Sequence, residues 1–152
     1  ELERMTNSAQ MILDKLKLPY RKIILSTGMS TEKEIEHAVS LLTSPNFILL
    51  HCNSTYPAPL QDINLKYMNK LKKYGRIVGY SGHERGVAIT LASIGFGARI
   101  IERHLTLDKN MEVPDQEAIL EKYEFRQLII RAFLKHSYFL YILFYDNYNE
   151  NC

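Results

Sequence analysis

The sequence predicts an α/β fold built from about four strand–helix units. Three observations carry this. Short apolar runs rich in β-branched residues recur at intervals of roughly 25 residues, the spacing of right-handed βαβ crossovers. Amphipathic segments fill the intervals. Polar clusters follow each apolar run, as expected where sites collect at the C-terminal ends of parallel strands. A doubly wound sheet and part of an eight-unit βα barrel both fit. No strand is followed by G-x-G-x-x-G, so a dinucleotide fingerprint is missing. A full barrel takes roughly 250 residues, and this chain has 152.

The elements follow in order. Glu1 to Leu18 reads as a helix, with Leu2, Met5, Ala9, Ile12, Leu13 and Leu16 at three- and four-residue spacing. Pro19 ends it, and Arg21 to Leu25 forms a first strand. Ser26-Thr-Gly-Met-Ser-Thr31 then turns the chain. Thr31 and Glu34 have capping-box spacing, which makes this a well-capped strand-to-helix turn. Its hydroxyls and free N–H groups also suit an anion. The helix is expected from Thr31 to Leu42. Phe47 to Leu50 is the next strand. It emerges into His51-Cys-Asn-Ser-Thr-Tyr-Pro-Ala-Pro59, where two prolines forbid regular structure. Ser54, Thr55 and Tyr56 are displayed on that stiff loop, and His51 is expected to be a satisfied structural histidine.

Leu65 to Tyr74 reads as a helix with Leu65, Met68 and Leu71 toward the core, closed by Gly75. Ile77 to Tyr80 is the third strand and ends in Ser81-Gly82-His83; a helix follows over Glu84 to Ile94. The fourth strand starts near Ala98 and delivers Glu102, Arg103 and His104 at its end. His83 and His104 thus share one layout in successive units, which makes them candidate ligands or acid–base groups. A helix is expected from Glu117 to at least Leu134. The division expected is residues 1–132 as the repeating unit and 133–152 as an aromatic-rich tail without a site.

Composition narrows the function. A net charge of +2 with scattered basic residues excludes the basic stripe of a nucleic-acid binder. Cys52 and Cys152 stand in no metal or redox spacing. Leu128 to Tyr145 is apolar but interrupted by Arg131, Lys135 and His136, so a buried or partner-facing helix is expected in place of a membrane span. With Glu1 opening a charged segment, no signal peptide is visible, and a cytoplasmic setting is expected.

Four motifs in register then point further. Ile24-Leu-Ser-Thr-Gly-Met29, Leu50-His-Cys-Asn-Ser-Thr-Tyr-Pro-Ala-Pro59, Val78-Gly-Tyr-Ser-Gly-His83 and Ile101-Glu-Arg-His-Leu-Thr-Leu-Asp-Lys109 resemble the sialic acid synthases. These comprise the N-acetylneuraminate synthases with the legionaminate and pseudaminate synthases. The similarity runs from about Lys22 to about Phe125. It implies a partial (β/α)8 TIM barrel, the C-terminal half. It also implies a transferase that condenses phosphoenolpyruvate with an open-chain N-acetylated amino sugar, such as N-acetylmannosamine or a relative, releasing phosphate. A divalent metal, manganese or magnesium, would assist.

The resemblance assigns roles residue by residue. His83 and His104 would be catalytic as the metal ligands. Ser26, Ser54 and Ser81 would hold the phosphoenolpyruvate end, and Tyr56 and Asp115 the amino sugar. Tyr56 is therefore expected to position substrate and not to stabilise the fold. Glu102 or a nearby carboxylate would orient an imidazole. Full-length members would be homodimers. Departures from the family pattern are Val113 for the usual glycine before Asp115, and Ile119 for a serine. The family's early barrel strands supply a carboxylate and a lysine, and its antifreeze-like domain an arginine; none has a counterpart here. Two readings follow: part of a synthase, expected not to catalyse alone, or a catalytically inactive binding or assembly module.

Overall fold

The computed structural model describes residues 23–42, 47–75, 77–106, 118–135 and 141–146. The expected helix over Glu1 to Leu18 and the predicted sugar residue Asp115 lie outside the described residues. In chain order the elements are β1 (Ile23–Ser26), α1 (Glu32–Leu41), β2 (Phe47–Cys52), α2 (Met68–Leu71), β3 (Ile77–Gly82), α3 (Ala88–Gly95), β4 (Ile100–Thr106), β5 (Leu120–Glu121), α4 (Lys122–Lys135) and β6 (Tyr141–Asp146).

All strand pairings are parallel, and the order β1-β2-β3-β4-β5 follows the sequence. That order separates the two candidate architectures. A doubly wound sheet reverses its strand order at a switch point; here β1 to β4 each add to the same edge, as in the wall of a βα barrel, and β5 and β6 both pair β4. Helices from every unit cover one face. Leu49, Val78, Tyr80 and Ile101 from the strands pack there with Ile35, Met68, Leu71, Ile94, Leu128 and Ala132. The opposite, inner face carries Ile48, Leu50 and Ile100 as a smaller cluster. Ile24 and Ile77 belong to that inner face by alternation and remain 39% and 40% exposed.

Local chemistry explains α1. Thr31 Oγ1 accepts from Glu34 N, and Glu34 Oε2 accepts from Thr31 N, so the expected capping box is present in full. Elsewhere the element bounds depart from expectation. The helix expected over Leu65–Tyr74 is α-helical only from Met68 to Leu71, after a 3-10 turn at Leu65–Tyr67. Strands β2 and β3 run two residues further than predicted, to Cys52 and Gly82. Helix α3 begins at Ala88 and not at Glu84, because the Glu84 carboxylate is used in the protein interior. Helix α4 begins at Lys122, since Leu120 and Glu121 pair with Leu105 and Thr106.

The tail is the largest correction. A helix was expected through Tyr145, but Tyr141–Asp146 is a strand, paired parallel to β4 from Ile100↔Tyr141 to Leu105↔Asp146. Tyr-Ile-Leu-Phe-Tyr is rich in aromatic and β-branched residues, which suit a pleated surface.

Candidate active site

The site residues sit at the C-terminal ends of β2, β3 and β4 and in the loops that leave them. Strand alternation aims Cys52, Ser81, Glu102 and His104 to the inner face. It sends Tyr80 and Arg103 to the helix side.

His83 lies just past β3 and is buried. Its Nδ1 is 2.6 Å from the Asn53 carbonyl oxygen, an acceptor only, so Nδ1 carries a proton and donates. Burial is the largest influence on this imidazole and lowers its pKa against that hydrogen bond, favouring the neutral ring. Nε2 therefore presents a lone pair. The Tyr56 hydroxyl donates to it at 2.7 Å. A histidine whose far nitrogen is fixed by a backbone carbonyl has the tautomer and orientation of a metal ligand. At His83 the Asn53 carbonyl takes the part expected of a carboxylate, and Glu102 Oε1 accepts from Ser81 Oγ at 2.7 Å.

His104 stands beside it. The His83 and His104 ring centroids are 5.6 Å apart at 49°. Metal–imidazole bonds of about 2.0–2.1 Å put each centroid ~3.2 Å from an ion, so two rings on one ion lie no more than ~6.4 Å apart. The observed separation falls within that limit. Tyr56 closes the cluster, stacked on His83 at 3.9 Å and edge-on to His104 at 5.7 Å. Its ring thus packs on the two imidazoles, contrary to the expectation that the loop left it without a packing role.

The donor set fits a divalent ion held by two imidazoles, with other positions left to water or substrate oxygens. Among the described residues no group of three or more His, Cys, Asp or Glu side chains is placed to hold a metal.

The hydroxyl residues separate. Ser54 and Ser81 both hydrogen-bond the Cys52 thiol, whose pKa is raised chiefly by burial. Ser54 is also close to Gly28. A Cβ on Gly28 would lie 2.2 Å from Ser54 Oγ, so with the Ser54 side chain in this position the first loop approaches the second closely at a glycine. Thr27 reinforces that approach, its N and Oγ1 both donating to the Leu50 carbonyl. Ser26 sits exposed at the end of β1, two strands away from β3. Thr55 is exposed, while Ser54 and Tyr56 are half-buried. His51 is structural, as expected. It lies between Tyr67 and Tyr80, but it is not fully satisfied, because its buried Nε2 has no hydrogen-bond partner.

Sequence reasoning missed the support behind the histidines. Arg103 and Glu84 are fully buried and paired at 2.7 Å. The same guanidinium donates to Thr90 Oγ1 and to the carbonyls of Glu84 and Ala118. Glu84 also accepts from Tyr80 OH, Thr90 N and Thr90 Oγ1. Each member adjoins a site histidine in sequence: Glu84 follows His83, and Arg103 precedes His104. Gly82 makes room, since a Cβ there would come within 2.8 Å of Glu84 Oε2 and 3.0 Å of Arg103 Cδ. The available signal was the charged pair flanking two histidines at otherwise apolar strand ends.

Comparison with known proteins agrees with this architecture. Residues 5–136 match the sequence pattern of the NeuB family. An N,N'-diacetyllegionaminic acid synthase from Campylobacter jejuni subsp. jejuni serotype O:2 is 48% identical over 122 residues, covering 76% of this chain and 36% of that protein. The human N-acetylneuraminate-9-phosphate synthase is 39% identical over 122 residues, covering 77% of this chain and 34% of its own length. A crystal structure of an N-acetylneuraminic acid (sialic acid) synthetase from Leptospira borgpetersenii serovar Hardjo-bovis, in complex with citrate, superposes with a TM-score of 0.76 at 36% identity. It covers 88% of this chain and 48% of that one. The chain therefore spans about a third of the curated relatives it matches, and its fold is that of part of a TIM-barrel-type protein. With the family pattern covering most of its length and the parallel sheet in sequential order, the chain belongs to the NeuB family.

Proposed function

We propose that these residues form part of an enzyme that condenses phosphoenolpyruvate with an open-chain N-acetylated amino sugar, giving a nonulosonic acid and phosphate. The observation that supports this most is the cluster of His83, His104 and Tyr56 at the ends of adjacent parallel strands. His83 and His104 would hold a divalent metal, Mn²⁺ or Mg²⁺. When bound, that ion supplies a Lewis acid for the sugar aldehyde oxygen. The chain's own residues do the rest of what they can reach. Asn53 O keeps His83 neutral and oriented. Ser54 offers a hydroxyl for a carboxylate or phosphate oxygen without added charge, while the Ser81 hydroxyl donates to Glu102. Tyr56 offers a phenol to a sugar oxygen.

A segment swap tests the reading. Residues 23–132 would replace the matching segment of the Campylobacter legionaminic acid synthase. The expected result is phosphate release that requires both phosphoenolpyruvate and the amino sugar, and that His83→Ala or His104→Ala abolishes. The 152-residue chain alone should release no phosphate above background, because effective catalysis needs all reacting groups positioned together. A folded but inert swap would overturn the reading. The second reading, an inactive assembly module, is favoured by the exposed inner-face residues Ile24 and Ile77. It predicts that inert swap.

A further inference from the structure

The outer edge of β4 carries one more inference, which rests on the family and the sheet order and not on the proposed reaction. Ile101, Glu102 and Arg103 each pair twice: with Tyr80, Ser81 and Gly82 of β3, and with Ile142, Leu143 and Phe144 of β6. A strand has two edges, so β6 lies on the side of β4 away from β3. Leu105 pairs with Asp146 as well as with Leu120, so β5 lies on the other side, past the end of β3. The side that β6 takes is where the next wall strand belongs, since β1 to β4 add one by one in that direction. A closed barrel pairs every strand on both edges. Yet β6 lies outside residues 5–136, the stretch that matches the NeuB pattern. By that place it is no strand of the family's barrel, and it stands where one belongs. We propose that the outer edge of β4 is the docking surface for the complementary half of a NeuB-type barrel, and that β6 is a displaceable cover that keeps this half out.

Two strands cannot pair with one edge at once, so cover and half-barrel compete. The pairing of β6 runs from Ile100↔Tyr141 to Leu105↔Asp146 and blunts an edge that would otherwise invite association. It serves that edge alone. Among the described residues, β1 pairs only with β2. Ile24 and Ile77 on the inner face stay substantially exposed. A complementary half-barrel would pair with β1 and β4 together and bury the inner face between them. It therefore gains two edges and a core where β6 gains one edge, and the larger gain displaces the smaller. The relatives are long enough to supply it, since this chain spans about a third of their length. While β6 holds its place, the barrel cannot close around the strand ends that carry His83 and His104.

The test compares amide hydrogen exchange in two proteins. One is the unaltered chain. The other is the Campylobacter legionaminic acid synthase with residues 23–152 in place of its matching segment, so that β6 and the synthase's own strands compete for one edge. In the unaltered chain the amides of Tyr141–Asp146 should be protected. In the chimera they should lose that protection, while those of Ile100–Leu105 keep it. Protection of Tyr141–Asp146 in the chimera would make β6 a permanent strand and overturn the proposal, and so would its absence in the unaltered chain. Should the chimera not fold, the unaltered chain carrying Ile142→Pro with Leu143→Pro decides. Proline removes a ladder hydrogen bond, and of two neighbouring residues one donates toward β4. That variant should lose protection at Tyr141–Asp146 and keep it in β2 and β3. Loss of protection throughout the sheet would show that the wall needs β6 to stand, and retained protection at Tyr141–Asp146 that the cover does not come away; either result overturns the proposal.

Discussion

The ends of β3 and β4 serve two faces of the sheet in opposite ways. On the helix side, Glu84, Arg103, Tyr80 and Thr90 form a connected set of charged and neutral hydrogen bonds with essentially no exposure, in which Arg103 Nε, unlike Nη1 and Nη2, has no hydrogen-bond partner. On the inner side, His83 and His104, each one residue away from Glu84 or Arg103, form a ring cluster with Tyr56. The first set is fixed because every charge is paired and no water competes. The second is held mainly by ring contacts, with one hydrogen bond between Tyr56 and His83. A fixed set behind two rings on different strands holds their spacing, as a preorganised site requires.

The largest test breaks the fixed face. Arg103→Met leaves Glu84 buried without its partner, and removing one member of a buried pair costs about 3–5 kcal/mol. Urea unfolding should show that loss. The double variant Glu84→Gln with Arg103→Met should recover part of it, because no uncompensated charge remains. Strictly additive losses would show that the two residues do not act as a unit.

A smaller test squeezes the same face without removing a charge. Gly82→Ala puts a methyl within 3.0 Å of Glu84 Oε2, Tyr80 Cε1 and Arg103 Cδ. Overpacking of this kind costs about 1–3 kcal/mol. The cost should be reduced but not removed in an Arg103→Met background, since Glu84 Oε2 and Tyr80 Cε1 still crowd the methyl. An unchanged cost would place the strain elsewhere.

The two faces were unequally legible in the sequence. The histidines could be read because both follow apolar runs in successive units, and the capping box because Thr31 and Glu34 are three residues apart. Glu84 was taken for a helix-starting acid. Its true partner, Arg103, lies 19 residues on, and nothing local signals such a bond. The orienter of His83 is a backbone carbonyl, Asn53 O, which no side-chain pattern can reveal. The strand at Tyr141–Asp146 was read as helix because a short apolar run is ambiguous by periodicity alone; its partner β4 lies far back in the chain. The half-barrel order itself came through, since each unit carries its own apolar strand and amphipathic cover.

The mildest test sharpens the comparison with protons. His51 faces the helix side between Tyr67 and Tyr80, and burial lowers its pKa from the ordinary 6.5. Burial, opposed by the bond to Asn53, lowers that of His83 as well. Both rings are therefore harder to protonate in the folded chain than in the unfolded one. Their contribution to stability is complete above pH 6.5 and is lost as the pH falls below it, because the unfolded chain then binds protons that the folded chain does not. Each such group adds a slope of up to about 1.4 kcal/mol per pH unit within that window. His51→Leu removes one of them without taking a partner from any group, since the buried Nε2 of His51 makes no hydrogen bond. The variant should match the unaltered chain in urea unfolding near pH 7.5 and be the more resistant of the two near pH 5.5, in metal-free buffer. If both lose stability in parallel on acidification, His51 is protonated as readily inside the fold as outside it, and the acid sensitivity belongs to the inner face.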